Sequence, residues 1–436
     1  MKKILISTAL LAGVLSYAGG FRVSLQGVKQ LAMAHTSAHA DDASVAFFNP
    51  AGMSFIPSKL SIVAGGFGAS NKVTFQNLNT LQSTETDNPL GTPIYAAIAY
   101  KPIDKLSIGF SFSTPFGSTI QYPYDWEGRE MVQKLELKSY YFQPMVSVKM
   151  ADWLSFGASY IYARGSVNWD KAVTQFGGTV NINDEKASGH GYGFGFYFRP
   201  DPKFDLSIAY RSPVDMKAKK GTATFVAPAQ TTVNTLLGLN AAGQDGFTAT
   251  LPLVEEYTIG LTYRVTTKWL ISADFNYHGW ERYSKLTLDF ANAPIGNQTD
   301  PTILVAPKNF RNSKTVRLGT QYAFTNMIYG RLGAYYDESP YSDDNFIPET
   351  PSFDSFVLTG GVGFKLNKFG VDVAGGYAMP QSRDVKNNYL GFYGQAKAKA
   401  FYFGLGLSYN AFLILNYEKN NNIYNSCFGT SFYSKL

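Results

Sequence analysis

The sequence predicts an all-β protein: a 14-stranded antiparallel transmembrane β-barrel with an amino-terminal hatch, or plug, in its lumen. Three observations carry this expectation. The chain opens on an export signal, strand-period alternation dominates residues 58 to 410, and short and long connections between strands alternate along the chain.

The first 18 residues, "MKKILISTALLAGVLSYA", have two lysines, an apolar run from Ile4 to Leu15 and the small-residue ending Ser16-Tyr17-Ala18. This is the layout of a cleavable secretory signal, so the mature chain is expected to begin at Gly19. The apolar run is shorter than the about 20 residues a helix needs to cross a bilayer, and no later stretch is longer. Composition agrees with a strand-built membrane protein. There are 29 Tyr, 33 Phe and 41 Gly in 436 residues, with 16% charged residues and a mean hydropathy of -0.12. Aromatic and glycine excess with modest hydropathy fits many alternating strands. The single cysteine, Cys427, excludes an intramolecular disulfide framework. The net charge of +6 is spread without a basic run, so no nucleic-acid partner is expected.

The alternation is visible in several places. Leu206, Ile208 and Tyr210 interleave with Ser207, Ala209 and Arg211; Tyr192, Phe194, Phe196 and Phe198 interleave with Gly191, Gly193 and Gly195. One face is apolar and the other small or polar. Tight turns fall at 101–105, 150–153, 199–204, 264–268, 323–327 and 365–369. Long polar connections are expected at about 71–91, 115–130, 168–187, 217–249, 289–308, 338–353 and 381–395. Six tight turns and seven long loops join fourteen strands, with each kind of link at one end, as in outer-membrane barrels. A soluble sandwich would also alternate, but it gives no reason for links to segregate by parity.

Residues 19–57 precede the first strand and do not alternate. They are rich in small residues, have helical spacing around Val28 to Ala34, and turn at Asn49-Pro50. A barrel of fourteen strands leaves a lumen that water would fill unless something occupies it, and this segment is the natural plug.

The segments "GGFRVSLQGVKQLA", "ADDASVAFFNPAGMS", "TPFGSTIQYPYDWEGRE", "ADWLSFGASYIYAR" and "IAYRSPVDMK" resemble those of the FadL/TodX family of outer-membrane transporters for long-chain fatty acids and aromatic hydrocarbons. The resemblance runs from about Gly19 to Asn410. It implies a hatch inside the barrel, a wall gap where the third strand kinks, and a ligand that binds among the outer loops, enters a lumen pocket and leaves sideways into the membrane. Gly20 and Phe21 match the amino-terminal motif bordering the pocket; ordinary plug packing is the competing role. Asn49, Pro50 and Ala51 match the motif that fixes hatch to barrel near the gap, and an Asn-Pro turn is also a common structural device. Gly109 is a candidate for the kink. Arg164 resembles a basic position near the internal site, although alternation from Leu154 turns it outward.

The residues themselves add further candidates. Pro115 and Gly117 should loosen the third strand's ladder. Arg211, Glu256, Asp274, His278, Arg317, Arg331, Lys365 and Asp372 lie on the small-polar face. Such charges are expected to bind one another and the plug, with Arg211 or Arg317 available to a fatty-acid carboxylate that needs a partner on leaving water. Asp41 and Asp42 are expected to pair with lumen bases. The loops at 115–130, with Tyr122, Tyr124 and Trp126, and at 217–249, with Val233, Leu236, Leu237 and Leu239, are candidates for first capture or for a roof.

The expected ligand is a long-chain fatty acid or another hydrophobic compound, passed by a monomer in the outer membrane in contact with its lipid. An aromatic-hydrocarbon channel of the same fold, a nonspecific porin and an outer-membrane lipid hydrolase are the alternatives. No catalytic residues, cofactor or metal are expected, since none of His35, His39, His190 and His278 sits in a Ser-His signature and the pair His35 and His39 lacks an evident third ligand. Residues 411–436 read as an atypical tail out of phase with the last strand.

Overall fold

The computed structural model describes residues 19–411 apart from Asn297, Tyr389 and Leu390. The expected export signal at 1–18 and the tail beyond Ala411 lie outside the described residues, as does Cys427. Within them, fourteen antiparallel strands close into one barrel. They are β1 Leu60–Asn77, β2 Ile94–Ile103, β3 Leu106–Ser113 resuming as Gly117–Gln121, β4 Lys134–Ala151, β5 Leu154–Val173 and β6 Gly178–Asp201. Then come β7 Phe204–Arg211 resuming as Val214–Val226, β8 Gln244–Leu253 resuming as Glu256–Arg264, and β9 Trp269–His278 resuming as Lys285–Phe290. The ring finishes with β10 Ile303–Pro307 resuming as Ser313–Ala323, β11 Ile328–Asp337, β12 Ser355–Leu366, β13 Phe369–Asn387 and β14 Phe392–Ala411. Each pairs with its neighbours in sequence, and β1 closes on β14 from Leu60↔Ala411 to Asn77↔Gly394. This closure gives the first and last strands partners in hydrocarbon, where an unpaired amide has no water to turn to.

The alternation in sequence becomes inside and outside. Ile62, Ile98, Phe110, Val146, Ile259, Phe275, Leu318 and Leu405 are exposed on the outer face, while Ser61, Ala97, Ser111, Ser147, Thr258 and Tyr402 are buried within. Two of the long loops expected from sequence are instead strand. Residues 168–187 continue β5 and β6 to a short 3₁₀ turn at Thr174–Phe176, and residues 381–395 extend β13 and β14. Outside the lipid the outward side chains turn polar, so the hydropathy period fades while the backbone ladder goes on.

Residues 19–56 run inside the ring. They form the one-turn helix α1 Val28–Leu31 and two 3₁₀ turns, Ala43–Phe47 and Pro50–Phe55. Their partners lie on opposite sides of the wall. The Val28 amide donates to Tyr95 Oη on β2 at 3.1 Å, the Ala34 amide to Thr359 Oγ1 on β12 at 3.1 Å, and the Ser37 amide to Asp274 on β9 at 2.9 Å. Ser147 and Ser155, on β4 and β5, both donate to the Ala51 carbonyl, at 2.9 and 2.7 Å. Asp41 and Asp42 pair with Lys29 of the same segment at 2.7 and 2.6 Å rather than with wall bases. A sharp internal turn, with positive φ at Ala34 and His35, brings the three together. Burial works to lower the Lys29 ammonium's pKa, but the two carboxylates prevail and hold it above its ordinary value.

At Gly157 of β5 an added Cβ would meet the backbone of Pro50 and Ala51, so wall and segment touch main chain to main chain. Gly157→Val is expected to cost about 1–3 kcal/mol through overpacking. The check is the temperature at which folded, heat-modifiable migration on a gel is lost; it should fall relative to wild type.

Candidate functional site

Above the amino-terminal segment lies a cavity of about 110 Å3. Its walls come from inward side chains of β4 to β9 and from loops folded over the bore. Leu135 and Leu137, Trp169, Met216, Phe247 and Leu288 are typical of the lining, and Phe21 and Phe116 make the floor. The Phe21 ring is clamped by Trp280, Tyr283 and Phe116, with centroids 4.9, 5.8 and 6.1 Å away. Gly20 makes this placement possible, since its φ is +68° and a Cβ there would press on the Trp280 ring; its amide donates to Ser352 Oγ at 3.1 Å. Among the lining residues are Lys308 and Glu349, a buried ion pair at 3.2 Å.

A second, small chamber, of about 20 Å3, lies on the other side of Phe116 and is polar. Arg22, Arg211 and Arg317 converge on it with Glu256, His35 and Asn276. Each arginine is also tied to structure. Arg22 lies 3.4 Å from Asp337 and 3.8 Å from Glu256. Arg211 donates to the Phe47 carbonyl at 2.6 Å, and Arg317 to Asn276 Oδ1 at 2.8 Å and the Ala34 carbonyl at 3.1 Å. The sequence candidates Arg211 and Arg317 therefore face the polar chamber rather than the apolar cavity. Arg164 is exposed on the outer face: β5 has a register irregularity between Gly165 and Val167, one step too late to turn it inward.

The wall is broken at β3. Its first part pairs with β2 up to Tyr95↔Ser113, then the strand stops at Thr114-Pro115-Phe116, and its second part pairs with β4 alone. On the vacated edge the amino-terminal segment takes over for a few atoms. The Val23 amide donates to the Pro115 carbonyl at 2.7 Å, and the Gly117 amide to the Phe21 carbonyl at 2.9 Å. Higher up, Gln121 is held by Asn88 and Asp87. Between these two closures lies a recess of about 1330 Å3 including open space, lined by Leu90, Pro93, Gly117, Leu137 and Tyr140 among others. Phe116, Gly117, Leu137, Lys138 and Ser139 line both this recess and the apolar cavity. Gly109 is not the break: it pairs regularly with Ala99 and Met145, and its lack of a side chain makes room for Met53. Asn49 stands away from the break, against β6 and β7. Its Oδ1 accepts from the Ala51 amide at 2.9 Å while Nδ2 donates to the Phe196 carbonyl and Ser207 Oγ, both at 2.9 Å. Pro50 starts the 3₁₀ turn that this cap supports.

Comparison with known proteins agrees with this geometry. Residues 9–411 match the model of the family described as outer membrane protein transport protein (OMPP1/FadL/TodX). The chain belongs to this family. It is an outer-membrane transporter of hydrophobic compounds. A long-chain fatty acid transport protein of Salmonella typhi is 23% identical over 423 residues, covering 90% of this chain and 94% of that protein. In fold the chain is similar to the crystal structure of a Pseudomonas aeruginosa FadL homologue, with a TM-score of 0.78 at 18% identity, covering 90% of this chain and all of that one (100%). It is also similar to the Pseudomonas putida toluene transporter TodX, with a TM-score of 0.68 at 14% identity over 92% of this chain and 100% of that one.

The transporter's outer loops form a roof. Tyr122 and Trp126 stack with centroids 3.9 Å apart, and Val233 and Leu237 of α2, Gln230–Leu237, are buried. Tyr124 and Leu236 stay exposed. Lys308 and Glu349 were not singled out from sequence, because both sit in loops without a period and meet only through the fold. Of the paired histidines, His39 bonds Thr36 Oγ1 at 2.9 Å and Ser272 Oγ at 3.0 Å. Burial lowers its pKa to about 4; burial and the nearby Arg317 and Arg22 lower that of His35 as well. Both are neutral in the folded protein at pH 7.

A histidine held neutral stabilises its surroundings fully above its unfolded pKa of about 6.5. As pH falls from there towards about 4, the detached state gains a proton that the docked state does not. His39 alone should then remove about 3 kcal/mol from docking of residues 36–40 across that window. Hydrogen exchange of these amides, measured between pH 7 and 4, should speed up on acidification, and less so in His39→Asn.

Proposed function

We propose that the protein passes long-chain fatty acids by binding them in the apolar cavity and releasing them sideways through the break in β3, with residues 19–57 as the hatch. The observation that carries this reading is the shared lining of cavity and recess at Phe116, Gly117 and Leu137. A ligand moving between them passes the apolar surface of Phe116 and Leu137, and each methylene kept from water favours that route by about 0.8 kcal/mol. At its lower end the break is bridged by two short main-chain bonds with the hatch, below the Asp87–Gln121 closure, so a small shift of residues 21–23 widens it. No energy source is needed if consumption inside the cell maintains the gradient. One chain encloses the whole route, so the monomer is the working unit.

The carboxylate class is favoured by Lys308. Its ammonium has three donors and is buried at the wall of a mostly apolar cavity, with Glu349 as its partner. A toluene-like ligand has no use for this pair. Tyr124 and Leu236, exposed on the roof, supply apolar surface for first capture.

The test is uptake by a deletion strain carrying this gene, comparing oleate with toluene. Oleate should enter faster than in the empty strain; no gain for either ligand ends the transport reading, and a gain for toluene alone ends the fatty-acid preference. Replacing Lys308 by Met together with Glu349 by Gln should reduce oleate affinity roughly 10–100-fold, the range for a hydrogen bond to a charged group, and leave toluene entry unchanged. Asn49→Ala with Pro50→Ala should reduce uptake while heat-modifiable migration stays intact. Unchanged uptake would remove the anchoring role of that turn.

A further inference from the structure

Four outward tyrosines, Tyr192, Tyr210, Tyr257 and Tyr277, form a continuous run across β6 to β9, with neighbouring ring centroids 6.1, 4.8 and 6.1 Å apart. Phe194, Ile208, Ile259 and Phe275 lie exposed below them. An aromatic row over an apolar band marks the upper edge of the hydrocarbon. Just above it β7, β8 and β9 break, and their upper parts, Val214–Val226, Gln244–Leu253 and Lys285–Phe290, turn a recess of about 1100 Å3 including open space to the outside.

The charged lining of the recess is Lys217, Lys219, Arg282 and Lys285 against Asp215 and Asp289. Arg282 holds Asp215 through Nη2, at 3.0 Å from Oδ1 and 2.9 Å from Oδ2. Among the described residues, none of the three lysines makes an ion pair. Lysines gathered in one recess repel each other unless an anion lies between them. Threonine hydroxyls, such as Thr250 and Thr287, add neutral donors of the kind a phosphate oxygen accepts from.

We infer that this recess binds the sugar-phosphate headgroup of a phosphorylated glycolipid in the outer leaflet. Charge complementarity sets the sign of the partner. The tyrosine row sets its height, since the acyl chains of such a lipid would lie against the exposed band while its headgroup projects past the row. The opposite face of the same strand segments lines the apolar cavity, where Ala218 and Ala249 border both spaces. A bound headgroup therefore braces the cavity wall from outside, independently of which hydrophobic ligand passes within.

The test uses the purified full-length protein in detergent with lipid A as the probe, counting retained glycolipid by native mass spectrometry. Wild type should retain lipid A, and the triple variant K217A/K219A/K285A should bind it roughly 150-fold more weakly, at the usual contribution per surface cation. The triple variant K105A/K203A/K368A, which removes equal charge from exposed turns at the other end of the barrel, should bind as wild type does. Equal loss in both triple variants, or none in the first, overturns the inference. Two arms need no variant. Dephosphorylated lipid A retained as well as lipid A would show that the acyl band alone binds, and displacement by inorganic phosphate at equal concentration would show a free-phosphate site; either result overturns the glycolipid assignment.

Discussion

An irregular chain threaded through a cylinder must find a partner for every buried amide and carbonyl, and most of this structure follows from that demand. The wall meets it with short polar side chains on its inner face. Ser61 accepts from the Ala43 amide at 2.8 Å, Ser54 and Ser147 share a bond at 2.7 Å, and Thr359 and Asp274 serve the amides of Ala34 and Ser37. A larger or apolar inner face would leave these groups without partners at about 1–3 kcal/mol each. The wall also yields space: Gly157 and Gly109 let the segment approach the strand backbone.

The same demand divides the lumen. Where the segment lies, the interior is filled: apolar side chains such as Leu31, Phe47 and Met53 pack against the wall, and the arginines beside them are engaged with carbonyls and carboxylates. Above Phe21 the inward faces of β4 to β9 turn to Leu, Val, Met and Phe around the apolar cavity. Phe21 and Phe116 stand at the boundary.

The break in β3 belongs to this arrangement. Pro115 has no amide to give to the ladder, and β2 starts only at Ile94, so the second part of β3 has no strand on one side. Two main-chain bonds from the amino-terminal segment fill that edge. In the wall of a closed barrel this is the place where backbone pairing is borrowed from the plug, which couples plug position to wall continuity.

The barrel was legible in the sequence because its causes are local. Side-chain alternation has a period of two and tight turns carry their own Asn, Asp, Pro and Gly signals; Pro115 and Gly117 signal a loosened ladder, while the choice between them and Gly109 for the break needed the fold. The cap formed by Asn49 was legible for the same reason. The placement of charges was not. Arg211 and Arg317 were correctly placed inside, but that they face a polar chamber rather than the apolar cavity depends on where the plug ends. Lys308 and Glu349, from loops 41 residues apart in sequence, meet only when those loops fold over the bore. Periodicity assigns a side chain to one of two faces of a wall; the depth at which it lies, and the group it meets there, come from shear, loop closure and the path of the plug, which only the closed cylinder defines.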